Sequence, residues 1–224
     1  MKNSKVFIGL SIGVLLSAGL IIIFKRLRLS GFKRNLLANA NKEWSLWGKP
    51  LAIGGKLKES GEIECSNIYR ERVGEYWKKG VNLSKDGCSD SPWSAAFISF
   101  LMRKSGAGNE FPYSSAHNDY IRPFIQNKKN NSNSNFKAYK LSEEKPELGD
   151  LVCYSRESGV DYDTTRKYLG HCDLVVGLNK KQSNIEVIGG NVYDGVTKRI
   201  LTTDSKGYLN DYSNDWFTII KNRK

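Results

Sequence analysis

From Leu151 onward the chain breaks into five short runs separated by turn residues. These are LVCY (151–154), HCDLVVGL (171–178), IEVIGGNV (185–192), VTKRILTT (196–203) and WFTII (216–220). Each is rich in β-branched and aromatic residues, the composition of a half-buried strand. The segments before residue 107 carry apolar residues at helical spacing instead. Helices first and strands afterwards predict an α+β domain, with the helices packed on one face of an antiparallel sheet.

The best defined helical stretch is SDSPWSAAFISFLMRKSG, from Ser89 to Gly106. Asp90 or Ser91 can cap it, Pro92 suits its first turn and Gly106 can end it. Trp93, Ala96, Phe97, Phe100 and Leu101 form one apolar stripe that faces a core. Ser94 lies beside that stripe in the first turn, where free amide groups and the helix dipole favour developing negative charge. A second helix is expected over Ser66 to Lys79, with Ile68, Arg72, Val73, Tyr76 and Trp77 on a shared face.

The amino terminus is of another kind. Val6 to Phe24 is an unbroken run of apolar and small residues, roughly nineteen long, against the ~20 that a membrane-crossing helix needs. A secretory signal cleaved near Ser17-Ala18-Gly19 is the alternative, but it would leave the strongly apolar Ile21 to Phe24 after the cut. The sequence therefore divides into a transmembrane anchor with basic flanks (1–30), a juxtamembrane arm (31–60) and an α+β domain (61–224). Within that domain Asn127 to Asn135 is a polar, solvated loop. Trp44 and Trp47 suit packing of the arm on the domain.

The formal charge of +12 suggests an anionic partner, yet seven basic residues and no acidic one fall within residues 1–34. The remaining +5 is an ordinary surface, which excludes nucleic acid as the expected partner. Lys2 and Lys5 flank one side of the apolar run and five basic residues flank the other, so the positive-inside rule alone would put the domain in the cytoplasm. Cys65, Cys88, Cys153 and Cys172 show no metal-binding spacing, and no phosphate-binding glycine loop follows a strand, so no metal or cofactor is expected. The four thiols form two disulfides in an oxidising compartment and stay free in a reducing one. Cys153 and Cys172 fall in separate strands and can pair across them.

His117 and His171 are the only histidines. His171 opens a strand after Gly170, from which its ring can project toward a packed helix, whereas His117 lies in a loop. Strand alternation sends Cys172 to the face opposite His171 and puts Asp173 on the same face as His171. Asn191 follows Gly189-Gly190, a turn-forming sequence. Ser94, His171 and Asn191 thus have the order of nucleophile, base and orienting amide, with Trp93, His117 and Asp173 as candidate substrate-contacting residues.

The runs PWSAAFISFLMR, FPYSSAHNDYI, GDLVCYSR, GHCDLVVGL and VIGGNVYDGV resemble the bacterial family termed domain of unknown function 2272, which is similar to the NlpC and CHAP peptidoglycan hydrolases. The resemblance spans about Leu36 to Asn222. It implies a papain-like fold with the site where a helix N-terminus meets the sheet, and a domain on the envelope side of the membrane. In CHAP-type enzymes a cysteine stands at the place of Ser94, a histidine at His171 and a polar residue at Asn191. Two readings follow for this chain. One is a membrane-anchored hydrolase that cleaves an amide in peptidoglycan peptides with serine as nucleophile, an ester substrate being its variant. The other is a catalytically silent papain-like module that binds such peptides or a protein partner.

Overall fold

The computed structural model describes residues 29–224. The expected anchor falls outside these residues apart from Leu29 and Ser30, and no helix among the described residues is long and apolar enough to cross a membrane. Among the described residues four α-helices, α1 (Gly31–Leu46), α2 (Asn67–Val81), α3 (Ser94–Ser105) and α4 (Asn118–Lys129), accompany one eight-stranded sheet. Its strands are β1 (Leu51–Ile53), β2 (Lys56–Glu59), β3 (Phe136–Lys140), β4 (Leu151–Ser155), β5 (Gly170–Asn179), β6 (Asn184–Val192), β7 (Gly195–Thr202) and β8 (Asp215–Asn222). They lie in the order β2-β1-β7-β6-β5-β4-β8-β3, with every pairing antiparallel except β1 on β7. The chain is thus α+β, as its periodicity predicts.

Alternation along the strands divides the interior. Leu151, Cys153, Cys172, Leu174, Ile188 and Ile220 face the helices, and their neighbours Val152, Tyr154, Val175, Val187 and Ile219 form a second cluster on the other face. All four helices contribute to the first cluster and none to the second. The α3 helix is buried all round from Ser94 to Met102, which is more than the single stripe its spacing suggests. It is pressed between α2 and strands β5 and β6. Gly80 of α2 makes that approach possible, because a Cβ there would come 2.9 Å from the Phe100 amide. On α2 itself Val73, Tyr76 and Trp77 are buried, but Ile68 is 69% exposed and not on the packed face. It sits in the first turn, before the helix reaches its neighbours.

Residues 31–60 are built into the domain. Leu36, Leu37 and Ala40 of α1 and the following Trp47 are buried, and Leu51 to Ile53 pair with Lys198 to Ile200 of β7. Glu43 of α1 is buried without exposure and receives hydrogen bonds from Arg72 Nε and Tyr76 Oη, both at 2.8 Å, while Lys104 Nζ lies 3.5 Å away. An unpaired buried carboxylate would be costly, so this network holds the arm to α2 and α3 in one arrangement. The expected 127–135 loop is shorter than its composition suggests, since α4 runs on to Lys129.

Both disulfides are present, as Cys65 to Cys88 and Cys153 to Cys172. The second joins residues directly opposite each other in the β4–β5 ladder. The first ties the segment before α2 to the loop before α3.

Candidate active site

Ser94 is the first residue of α3, preceded by Trp93 as the N-cap. Neither Asp90 nor Ser91 caps the helix, and the first intrahelical bond runs from the Phe97 amide to the Trp93 carbonyl, at 2.9 Å. The amides of Ser94, Ala95 and Ala96 therefore precede the hydrogen-bonded ladder and point out of the helix start. Ser94 is buried, at 3% exposure.

Its partner is His117. The imidazole Nε2 lies 2.7 Å from Ser94 Oγ, and Nδ1 is hydrogen-bonded to the Tyr120 hydroxyl. His117 immediately precedes α4, so Tyr120 stands one helical turn beyond it and meets its ring. Two tautomers fit. With the proton on Nδ1, the imidazole donates to Tyr120 Oη and accepts from the Ser94 hydroxyl at Nε2. With the proton on Nε2, Tyr120 donates to Nδ1 and the imidazole donates to Ser94.

His171, expected beside Ser94, takes other partners, and Asn191, expected beside His171, does not bond it. His171 donates from Nε2 to Asp173 Oδ1 at 2.8 Å, and Asp173 Oδ2 accepts from Arg199 Nε, also at 2.8 Å. The remaining nitrogen of His171, Nδ1, accepts from an Arg156 guanidinium N–H at 3.1 Å. Residues 171 and 173 share a strand face, as alternation predicts, so the orienting group behind His171 is the Asp173 carboxylate. Among the described residues Asn191 makes no hydrogen bond to either histidine. It has a φ of 54° within a bulge between β6 and β7 and is half-buried. The hairpin turn itself is Tyr193-Asp194, both with positive φ.

The two imidazoles are neighbours, with centroids 5.2 Å apart. Burial is the largest cause that pushes His117 well below the usual histidine range, followed by the nearby His171 and Arg156. Burial also lowers His171, against an opposing pull from Asp173, and Arg199 and Arg156 add to the lowering. Burial alone would raise Asp173, but Arg199 and then His171 outweigh it and hold the carboxyl below its usual range. Both rings are therefore neutral near pH 7, and a neutral imidazole is what can accept a proton from serine.

Arg156, the partner of His171, also lines an open cleft of about 460 Å³ together with Asn191, the Ser89–Pro92 loop and the Cys65–Cys88 disulfide; Ser94 and the two histidines are not part of its lining. Trp93 does not line it. Its ring is 1% exposed and lies against Trp47 and Tyr76, with centroid distances of 5.5 and 5.6 Å, and its indole N–H donates to Glu64. A larger hollow of about 630 Å³, between Lys33, Leu148, Leu178 and Lys206, holds neither Ser94 nor a histidine. Among the described residues no group of three His, Cys, Asp or Glu side chains could hold a metal ion.

Sequence reasoning overlooked Arg156, Arg199 and Tyr120. A sequence signal existed only for Tyr120, three residues after His117, once that segment is read as the start of a helix.

The family described as "Uncharacterized protein conserved in bacteria (DUF2272)" matches residues 65–222, a span that contains Ser94, His117, His171 and Asp173. No curated protein and no solved structure matches the chain.

Proposed function

Since the chain belongs to that family, whose description assigns no activity, we propose from its own site that it is a serine-dependent hydrolase acting on an acyl bond. The observation that carries this reading is the 2.7 Å contact between Ser94 Oγ and His117 Nε2 at a helix N-terminus. In this mechanism Ser94 Oγ attacks a carbonyl carbon as its proton passes to His117 Nε2. The Nδ1 proton stays directed at Tyr120 Oη, and the first-turn amides of α3 stabilise the oxyanion. The proton on Nε2 then goes to the leaving amine or alcohol as its bond to carbon breaks. Water deprotonated by the same nitrogen releases the acyl group and regenerates Ser94.

The substrate class, an amide in the peptide part of peptidoglycan, rests on the resemblance to NlpC and CHAP enzymes, as does the papain-like description of the fold. Two disulfides support an oxidising, extracytoplasmic location for the domain, which agrees with that substrate and opposes the charge rule. A membrane anchor within residues 1–30 completes the proposal.

The test is mass spectrometry of purified muropeptides incubated with the full chain. New fragments that disappear with Ser94→Ala support the hydrolase and identify the bond. Unchanged muropeptides and unchanged ester analogues overturn it.

A silent binding module is the second reading, and one observation favours it. Among the described residues the buried Tyr120 hydroxyl has no acceptor other than His117 Nδ1. A buried donor without an acceptor costs about 1–3 kcal/mol, which favours the tautomer in which Tyr120 donates and Ser94 is not activated. Binding of muropeptides without turnover, retained in Ser94→Ala, would support this reading.

A further inference from the structure

Arg156 directly follows β4 and is exposed, yet it has no carboxylate partner among the described residues. The acids around it are engaged elsewhere. Glu157 accepts from Arg166 at 2.6 Å and from the Leu169 amide, also at 2.6 Å. Asp173 is taken by Arg199 and His171. The guanidinium instead donates to the neutral Nδ1 of His171 and lines the cleft beside Asn191.

A guanidinium bonds a carboxylate about twice as strongly as a neutral acceptor, and in two-point geometry. An exposed arginine that lines a cleft and rests on a neutral imidazole is therefore poised to exchange it for an anionic ligand. The lining of the same cleft includes Asp90, and Glu64 held by Trp93, which disfavour a polyanion there. A peptide with a carboxylate near the reacting carbonyl fits both features.

We propose that Arg156 is the specificity residue of the cleft, selecting peptide substrates that present a free carboxylate and leaving His171 Nδ1 when that carboxylate binds. The consequence for turnover rests on the hydrolase reading. A bound carboxylate neutralises the guanidinium that bonds His171 and lowers both rings, so both become better proton acceptors when the correct substrate is in place. Arg156 acts through the imidazoles and is a positioning residue in that respect.

The test compares peptidoglycan stem tetrapeptides with free carboxylates against the same peptides fully amidated, using the full chain and its Arg156→Gln and Arg156→Lys variants. In the unsubstituted chain kcat/KM for the free-carboxylate form should exceed that of the amidated form by about ten-fold or more, the scale of a hydrogen bond to a charged group. The ratio should collapse toward one in Arg156→Gln and recover in part in Arg156→Lys, a pattern that a merely structural arginine would not produce. A ratio near one in the unsubstituted chain, or one that survives in Arg156→Gln, overturns the inference while leaving the hydrolase standing. If no peptide is turned over, the hydrolase reading fails and calorimetry on the same peptides decides the anchor. A binding preference lost in Arg156→Gln supports it. Equal affinities, or no binding of either form at millimolar peptide, overturn it.

Discussion

Gly189 leaves the space that Asp173 occupies. A Cβ at position 189 would overlap Asp173 Oδ1, the oxygen that receives the His171 N–H. Glycine is needed there for close approach, because its φ is not in the left-handed region, and the same holds for Gly190, where a Cβ would lie 2.6 Å from Phe97 Cβ. Gly189→Ala should displace Asp173, cost about 1–3 kcal/mol through overpacking, and free His171. The expected readout is loss of the hydrogen-bonded imidazole N–H resonance of His171 in the nuclear magnetic resonance spectrum, with a lower urea midpoint. A retained resonance would show that the strand yields instead.

Ser94 meets His117, so the proposed reaction depends on that ring. His117→Ala should lower turnover by about 10²–10⁴-fold, the usual worth of a positioned base. Asn191→Ala, at a residue that hydrogen-bonds neither histidine, should have the smaller effect. Steady-state rates of the two variants decide this, and the reverse order would restore Asn191 as the orienting residue.

The buried histidines also set a pH dependence. Both have folded-state pKa values below the ordinary 6.5, so the unfolded chain binds more protons than the folded one as pH falls through 6.5. Stability is therefore full above about pH 6.5 and declines below it until each folded-state pKa is reached. The limiting slope is about 1.4 kcal/mol per pH unit for each ring. Urea denaturation between pH 7.5 and 5 should show this decline, and His117→Gln should make it shallower. A flat profile would mean that the rings titrate alike in the folded and unfolded chain, and a rise in stability on acidification would mean that the fold holds them charged.

Removing the Cys65–Cys88 bond through paired serine substitutions should cost about 3 kcal/mol, the loop-entropy value for a 23-residue separation. The bond also forms part of the cleft wall, just ahead of Ser94. Ligand affinity should fall along with the thermal midpoint, and an unchanged affinity would show that the wall keeps its shape without the bond.

The legibility of this fold in its sequence varied with the signal each element carries. Strands β4 to β8 were readable because alternating burial imprints itself on composition, and their bounds differ from expectation by at most two residues. Strand β2 is exposed along its whole length and β1 is three residues long, so neither leaves a hydrophobic pattern. Helix α4 was hidden by Pro123 inside it and by its polar end at Asn127 to Lys129. The Cys153–Cys172 pairing was accessible from strand reading alone. Cys65 and Cys88 flank a helix, and their meeting depends on tertiary packing. The candidate site was legible as a set of residues but not as a set of pairs. Ser94, His117, His171 and Asp173 could each be named, yet the packing of α4 against α3 decides which ring reaches the serine. Arg156 and Arg199 carried no signal, because an arginine's partner depends on which carboxylates the fold leaves free.

The parallel pairing of β1 with β7 bears on how the protein is assembled. Leu51 is made early and Lys198 late, with almost the entire domain between them. The segment that holds Trp47 and the β1–β2 hairpin must therefore wait, paired only with itself, through most of synthesis, and it joins the sheet only when β7 has emerged. Long-range closure of this kind is slow and leaves an open strand edge meanwhile. A shortened chain that ends before β7 would retain Ser94, His117 and His171 but would lack Arg199, the partner of Asp173, and the strand on which β1 is seated.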